Sequence, residues 1–507
     1  MILKNINFIK SPKPYIKEYT TYDPSPMFRK KFIVKNDFIS AKVYVCGLGY
    51  GYFYINGKKI SEDLFTAPVS DYNKTLWYNS YDVTSILTKG ENIAAAILGN
   101  GFFNEPFDTP WNHNKASWRD KPKFVFELEI TYINEKVIIK SDESWKCSDN
   151  SPIIFNQLRN GEYFDSRLYN ENWNTLAYDD SAWDFSELDT TPPSGIFREC
   201  ECEPIREDKE YPALNIIKTD RGSYIFDIGQ NISGYIKLKI KQAAGDKITI
   251  KYVEQINSDN TLQTNNMENF YPTSIFQTDI FICNGEEFTW SPRFCYHGFR
   301  YIELTGLTGE PAYDMVKGVY VHQAVEDISG FDCSNKLLNK LFDIGKKATL
   351  CNLFYMPTDC PTREKLGWAN DAQASVEQML TNFNTVKFFK KWMVDIVDSM
   401  KEDGAIPGII PTGGWGYDWG TGPISSGILF ELPYKIYLFT GDSSLLVNNL
   451  SNFKKHLKYI VGRADTDRLI GYGLCDWAGP FSNLEGSPVP VKFTDTIMYI
   501  KFLKISL

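Results

Sequence analysis

The chain has 507 residues, of which 43% are hydrophobic and 23% are charged, and its formal net charge is −9. This length exceeds a single hydrophobic core, so we expect about two to four domains, and the composition is that of a folded protein. An acidic balance argues against a nucleic-acid partner, because phosphate binding requires a basic face. Aromatic residues make up 15% of the chain, which is typical of filled β-sheet cores or of flat platforms for sugars.

The cysteines and histidines give no metal-binding pattern. Ten cysteines are scattered without a CxxC pair, and the chain has four histidines, so we expect no metal site and no cofactor. His297 is interpreted as a structural histidine. Scattered thiols fit a reducing compartment, and neither a secretory signal nor a long apolar run is visible. We therefore predict a cytoplasmic protein with no membrane association.

The first part of the chain has the period of β-strands. From about Phe28 to Ile196, short runs alternate apolar and polar residues, as in AKVYVCGLGYGYFYING. That run ends in Asn56-Gly57, a strong hairpin signal. Many short strands separated by Gly, Pro and Asn predict an accessory, carbohydrate-binding-like β-sandwich over residues 1–208.

A second strand-rich region opens near Tyr211 and ends near His322. It contains the runs SYIFDIGQNISGYIKLKI, DKITIKYVEQI and GFRYIELTGL. These patterns predict a second β-sandwich over residues 209–325.

After residue 325 the apolar period changes to that of helices. Ser334 is predicted as an N-cap, and helical patterns follow over residues 337–344, 386–400 and 443–462. The loops between them are long and rich in Gly, Trp, Pro and Asp, which favours a functional role. We assign residues 326–507 to an all-α domain.

The segment DCPTREKLGWAND, from Asp359 to Asp371, concentrates acidic groups beside a tryptophan. Cleaving an acetal takes a proton donor at the leaving oxygen and negative charge near an oxocarbenium-like centre. Glu364 can act as the acid only if it is protonated near neutral pH. Nearby aspartates and the apolar Trp368 would favour the protonated form, whereas an inward-pointing Arg363 would oppose it. The alternative is a solvated surface run of charged residues.

This segment resembles the catalytic segment of bacterial α-L-rhamnosidases, glycoside hydrolase family 78. Further motifs resemble that family in its order along the chain: GYGYFYINGKKI, GEYFDSR, FDIGQNISGYIKLKI, SPRFCYHGFRYIELTG, GGWGYDWGTGP, ELPYKIYLFTGD and CDWAGP. The resemblance implies two β-sandwiches followed by an (α/α)6 barrel. It also implies an inverting hydrolase that removes terminal α-L-rhamnose from glycosides or oligosaccharides.

By position, the resemblance makes Glu364 the general acid. It gives the other residues of the site a role in binding the sugar, although the loop that carries Trp415 and Asp418 departs from the commonest family wording. These substrate-binding residues are Asp359, Arg363, Trp368, Asp371, Trp415, Asp418, Asp476 and Trp477.

An inverting hydrolase also needs a second carboxylate, about 6.5–9.5 Å from the first, to activate water. In the family this base comes from a later Trp-rich segment that the chain does not contain. Only 182 residues follow residue 325, whereas twelve helices need about 300 or more. We therefore expect a truncated chain with an incomplete barrel and no base, and Asp418 and Glu431 are its only in-chain substitutes.

Two alternatives remain at this level. One is a non-catalytic carbohydrate-binding protein or an inactive fragment. The other is a different (α/α)6 enzyme, such as a uronic-acid hydrolase or lyase, which the acidic cluster disfavours because a substrate carboxylate needs a basic subsite. The expected partner is a rhamnose-containing carbohydrate, and a homo-oligomer is possible.

Overall fold

The structure is a computed structural model that describes residues 3, 6–15, 23–35, 37–105, 107, 109–265, 267, 275–474 and 489–507. The chain divides into two compact units. The first comprises residues 1–110, 117–200 and 205–322, and the second comprises residues 111–116, 201–204 and 323–507.

Strands dominate the described chain up to residue 323. They are β1 (Ile9–Lys10), β2 (Met27–Val34), β3 (Ser40–Leu48), β4 (Gly51–Ile55), β5 (Lys58–Lys59), β6 (Thr75–Asp82), β7 (Gly90–Leu98), β8 (Lys123–Thr131), β9 (Lys136–Lys140), β10 (Lys146–Ser148), β11 (Ile153–Gln157), β12 (Gly161–Asp165), β13 (Asp184–Phe185), β14 (Glu187–Leu188), β15 (Ile196–Glu199), β16 (Ile205–Pro212), β17 (Asn215–Lys218), β18 (Tyr224–Ile240), β19 (Lys247–Val253), β20 (Thr278–Ile282), β21 (Phe288–Trp290), β22 (His297–Thr305) and β23 (Val316–Gln323).

Two of the sheets share a core. Sheet A has the order β14-β1-β8-β3-β6-β15, with β9 on β8, and sheet B has the order β13-β10-β2-β7-β4-β5. Phe28 of β2 and Phe53 of β4 pack against Phe124 of β8, with ring centroids 5.0 and 5.6 Å apart. The hairpin predicted at Asn56-Gly57 is confirmed, since both residues have positive φ and Ile55 pairs with Lys58.

The third sheet, sheet C, has the order β11-β12-β20-β19-β22-β18-β23-β16, with β17 and β21 also on β18. Strands β11 and β12 lie in the segment that the sequence assigns to the first sandwich, yet they belong to this sheet. Strand β12 pairs with β20 in parallel, with Tyr163 opposite Ile280. Alternation of apolar residues predicts a strand but not its partner, so this long-range pairing is invisible in the sequence. The boundaries at 208 and 325 stay predictions.

The second unit is helical. Its elements are β24 (Glu326–Asp327), α1 (Lys336–Leu350), α2 (Ala369–Asn382), β25 (Phe383–Asn384), α3 (Val386–Asp398), α4 (Pro423–Ser426), α5 (Ile428–Thr440), α6 (Ser444–Val461) and α7 (Val491–Ser506). The N-cap predicted at Ser334 is wrong by one residue. The side chain of Asn335 accepts the backbone N–H of Leu337 and begins α1.

The coarse architecture therefore matches the prediction, with a sheet-rich N-terminal part and a helical C-terminal part. In the described ranges, no helix combines the length and the apolar character that spanning a bilayer would require.

One face of α1 is apolar and exposed to solvent. The exposed fractions of Leu337, Leu341 and Ile344 are 63%, 55% and 51%. Helix α7 also exposes large apolar side chains, among them Phe493 and Ile497. Apolar residues at helical spacing normally face a protein core, so such surfaces are typical of contact sites.

We predict that this 507-residue chain self-associates through these helix faces. Replacing Leu341 and Ile344 together with Lys is expected to shift the population towards monomer, because charged side chains oppose burial of the face. Size-exclusion chromatography with light scattering measures the change. Exchanging polar residues of the same helix, Lys340→Glu with Asp343→Lys, should leave the distribution unchanged. A monodisperse monomer of the unmodified chain would contradict the prediction.

Candidate active site

The predicted site segment begins in the loop between α1 and α2. Two hydrogen bonds between Asp359 and Leu366 hold this loop together. The backbone N–H of Asp359 donates to the carbonyl of Leu366 at 3.0 Å, and the N–H of Leu366 returns to Asp359 Oδ1 at 3.1 Å. Inside the loop, the N–H of Glu364 donates to Cys360 Sγ at 3.2 Å. Lys365 reverses the chain with a φ of 57°. The position of Asp359 relative to Glu364 is thus set by the backbone.

A second loop, between α3 and α4, supports Trp368. The N–H of Ile410 donates to the carbonyl of Gly367, and the N–H of Ala369 donates to the carbonyl of Gly408, both at 2.8 Å. The loops approach so closely that a Cβ on Gly367 would lie 2.0 Å from the carbonyl oxygen of Ile410. Glycine at 367 therefore allows the contact that fixes Trp368 at the start of α2.

Glu364 lies between an indole and a guanidinium. Trp368 Nε1 donates to Glu364 Oε2 at 2.6 Å, and Arg363 Nη2 lies 3.5 Å from Glu364 Oε1. Because an indole N–H only donates, it favours an unprotonated Oε2. In the acid form of Glu364 the proton then belongs on Oε1, which makes Oε1 the atom able to deliver it. Arg363 therefore brings a positive charge close to the Glu364 carboxylate.

The neighbouring carboxyl groups, in contrast, disfavour one another's ionisation. Asp359 is partly buried, and this burial, together with the negative charges of Glu364 and Asp371, raises the pKa of Asp359 to about 7. Asp371 lies in the first turn of α2 and is exposed. The site therefore holds carboxyl groups close enough that ionisation of one opposes ionisation of the next, which is how one acid stays protonated near neutral pH.

Three tryptophans form an aromatic cluster beside Glu364. The ring centroids of Trp368 and Trp415 are 5.8 Å apart, those of Trp415 and Trp419 are 5.6 Å apart, and those of Trp368 and Trp419 are 6.3 Å apart. Gly420, with a φ of 85°, lets the loop pass these rings, since a Cβ there would lie 3.1 Å from Trp368. Trp419 is 51% exposed, so this cluster offers a ring face to solvent beside the carboxylates.

The structure brings together most of the predicted site residues. Glu364 contacts both Arg363 and Trp368, and Trp415 packs against Trp368, whereas Asp418 is exposed in the loop that carries Trp415. The predictions at Asp476 and Trp477 lie outside the described residues. The sequence does not predict Trp419 as a site residue, although the loop motif GGWGYDWGTGP that contains it also contains Trp415 and Asp418.

Glu431, one of the two in-chain substitutes for a base, is already paired. Its Oε1 lies 2.5 Å from Lys501 Nζ, and its side chain is 3% exposed. The Glu431 carboxylate of α5 is therefore already engaged by a lysine of α7. The described site thus combines Glu364, neighbouring carboxyl groups and an aromatic cluster with one exposed ring.

Comparison with known domain families gives three matches that follow one another along the chain. Residues 36–209 match the alpha-L-rhamnosidase N-terminal domain, and residues 217–322 match the bacterial alpha-L-rhamnosidase concanavalin-like domain. Residues 326–506 match the bacterial alpha-L-rhamnosidase 6 hairpin glycosidase domain. The predicted site segment lies within this last match.

Similar proteins carry the same description. An alpha-L-rhamnosidase of Formosa agariphila is 31% identical over 486 residues, covering 89% of this chain and 49% of that protein. The solved alpha-L-rhamnosidase from Dictyoglumus thermophilum is 32% identical with a TM-score of 0.90, covering 99% of this chain and 56% of that one.

A Streptomyces avermitilis alpha-L-rhamnosidase solved in complex with L-rhamnose is 27% identical with a TM-score of 0.88, covering 95% of this chain and 46% of that one. The chain spans about half the length of the curated relatives it matches. With three successive domain matches and these likenesses, the chain belongs to the bacterial α-L-rhamnosidase family.

Proposed function

We propose that this chain carries the general acid, Glu364, and part of the sugar subsite of an inverting α-L-rhamnosidase. Such an enzyme acts on terminal α-L-rhamnose of glycosides or oligosaccharides. The observation that carries the proposal is the placement of Glu364. Its carboxylate accepts the Trp368 indole N–H at 2.6 Å, beside Asp359 and an aromatic cluster that includes the exposed Trp419.

In the proposed reaction, the proton on Glu364 Oε1 moves to the glycosidic oxygen as the bond from that oxygen to the anomeric carbon breaks. Positive charge then develops at the anomeric carbon, and the ionised carboxylates nearby stabilise it. Asp359 and Asp371 bind hydroxyl groups of the sugar, and the tryptophans cover its apolar face.

Inversion requires a water molecule to attack from the opposite side while a second carboxylate, about 6.5–9.5 Å from the acid, takes its proton. We propose that this base lies outside these 507 residues. Two observations support this: Glu431 is paired with Lys501, and the chain spans 49% of its Formosa agariphila relative.

For the same reason we propose that α1–α7 form part of an (α/α)6 barrel, preceded by two β-sandwiches. The exposed apolar faces of α1 and α7 support an incomplete barrel, since barrel helices pack such faces on neighbouring helices. A cytoplasmic location is part of this proposal.

A second candidate function is carbohydrate binding without catalysis. The exposed ring of Trp419, which packs against Trp368, supports it, because a sugar platform needs no general base. The two functions share the sugar subsite and differ in turnover.

Binding of L-rhamnose tests the subsite that both functions share. L-rhamnose is expected to change the tryptophan fluorescence of the chain, and Asp371→Asn is expected to weaken its binding by about tenfold or more, since a charge-assisted hydrogen bond is lost. Asp343→Asn, an exposed aspartate of α1, is the matched control, and L-fucose is the control sugar. Binding that is equal in the Asp371→Asn variant and the unmodified chain would contradict the proposed subsite.

A further inference from the structure

A cluster of three potential metal ligands lies in the core of sheet C, in the first unit. Asp279 of β20, Cys295, and His297 at the start of β22 are each 0% exposed. Their ligand atoms all lie within 4.8 Å of one another. The sequence predicts no metal site, because its cysteines form no CxxC pair and the chain has four histidines.

The separations between these atoms match those of a zinc site. His297 Nε2 lies 3.2 Å from Asp279 Oδ1, Cys295 Sγ lies 3.6 Å from the same oxygen, and Cys295 Sγ lies 3.7 Å from His297 Nε2. A tetrahedral zinc ion at ordinary bond lengths separates nitrogen from oxygen by about 3.3 Å, and sulfur from either by about 3.6 Å. The three atoms thus already occupy one face of such a tetrahedron.

The charges of these groups also suit a divalent cation. A carboxylate and a thiolate together carry two negative charges, and histidine coordinates metals as the neutral imidazole. Zinc with these three ligands is therefore neutral overall, which removes most of the cost of burying an ion in a β-sheet core. Aspartate oxygen, imidazole nitrogen and thiolate sulfur are all established zinc ligands.

Surrounding groups hold the ligands in place. Tyr252 Oη donates to Asp279 Oδ2 at 2.6 Å and its ring stacks on His297 at a centroid distance of 4.1 Å. The N–H of Glu162 donates to Asp279 Oδ1 at 2.8 Å. Such contacts fix carboxylate and imidazole orientation around metals.

Glu162 supplies a further observation that points to a ligand. Its Oε2 accepts the N–H groups of Arg293 and Phe294, both at 3.0 Å, immediately before Cys295. Its Oε1 is buried and accepts no hydrogen bond from the described residues. The backbone N–H of the same residue donates to Asp279 Oδ1, so this unsatisfied buried oxygen belongs to a residue that contacts the cluster.

We propose that Asp279, Cys295 and His297 bind one structural zinc ion inside sheet C. The ion links β20 to the start of β22 across the intervening β19, and it acts on folding rather than on catalysis. The same three atoms without a metal would form a hydrogen-bonded trio, and metal content and spectroscopy separate the two.

The experiment uses the full chain and two metals, zinc and cobalt. The purified protein, dialysed against EDTA while folded, is expected to retain about one zinc per chain and to release it on unfolding. After unfolding in chelator and refolding with Co²⁺, it is expected to show the thiolate-to-cobalt charge-transfer band and the intense visible bands of a tetrahedral site.

Cys295→Ser is expected to abolish the charge-transfer band, and His297→Gln to lower the bound metal to less than about 0.1 per chain. Cys283→Ser is the matched control, since Cys283 is another buried thiol of the same unit. If either ligand variant fails to fold, the cobalt spectrum of the unmodified chain decides. Absence of the thiolate-to-cobalt band from that refolded chain overturns the proposal, as does a band that persists in the Cys295→Ser variant.

Discussion

With azide present as a nucleophile that needs no general base, replacing Glu364 with Gln is expected to lower the cleavage of an unactivated α-L-rhamnoside by about 100- to 10,000-fold, the usual contribution of a positioned general acid. Glutamine keeps the size of the side chain, and its carbonyl oxygen can still accept the Trp368 indole N–H that now holds Oε2 at 2.6 Å. The substitution removes only the proton carried by Oε1. Binding of L-rhamnose should therefore change little while turnover falls.

The size of this loss should depend on the leaving group of the substrate. p-Nitrophenolate is stable as an anion and needs little protonation, whereas an alkoxide needs a full proton. The loss in the Glu364→Gln variant is expected to be much smaller for p-nitrophenyl α-L-rhamnopyranoside than for the methyl rhamnoside. Glu402→Gln, an exposed glutamate of the same unit, is the matched control. Equal losses on both substrates would mean that Glu364 positions the substrate without donating the proton.

Release of p-nitrophenol by the unmodified chain also tests whether a base is present. If the base lies outside these residues, turnover in water should be very low, and azide should restore cleavage by attacking the anomeric carbon directly. The product is then the rhamnosyl azide of inverted configuration. Fast hydrolysis without azide that Glu364→Gln abolishes would place a working base within these 507 residues or across an oligomer.

The second large effect concerns stability. Asp495 in α7 is fully buried, and neither carboxylate oxygen makes a well-formed hydrogen bond to the described residues. Burial raises the pKa of Asp495 to about 7, and the backbone N–H of Tyr472 offsets this only in part. Asp495→Asn is expected to stabilise the helical unit above pH 7 by roughly 3–4 kcal/mol, because it removes the ionisation.

The pH dependence fixes the sign of this effect. The unfolded chain releases the Asp495 proton near pH 3.9, whereas the folded chain keeps it until about pH 7. Between these values the folded state binds more protons, so its stability falls as pH rises. The gain from Asp495→Asn should therefore be small near pH 4, grow through this window and level off above pH 7.

Scanning calorimetry at pH 4.5 and pH 8 measures the gain as a difference in melting temperature between the variant and the unmodified chain. Asp467→Asn, on the surface of the same unit, is the matched control. A gain of equal size at both pH values would contradict the assignment of the raised pKa to Asp495.

The sequence alone predicted what depends on neighbouring residues. Asn56-Gly57 specifies its hairpin because both positions adopt positive φ readily, and the 443–462 pattern specifies α6 because its period is that of a helix. Glu364 and Trp368 are four residues apart in the loop that leads into α2, so the local chain keeps them near each other. The family, and with it the proposed general acid, followed from motifs of this local kind.

The tertiary structure decided what depends on distant segments. The parallel pairing of β12 with β20, the contact of Trp368 with Trp415, and the meeting of Asp279 with Cys295 and His297 all join residues that no periodicity relates. Local alternation of apolar and polar residues predicts that a residue is buried, but which residue it contacts depends on strand order and on the paths of the loops. Chain topology sets both, and burial of apolar surface throughout the molecule stabilises them.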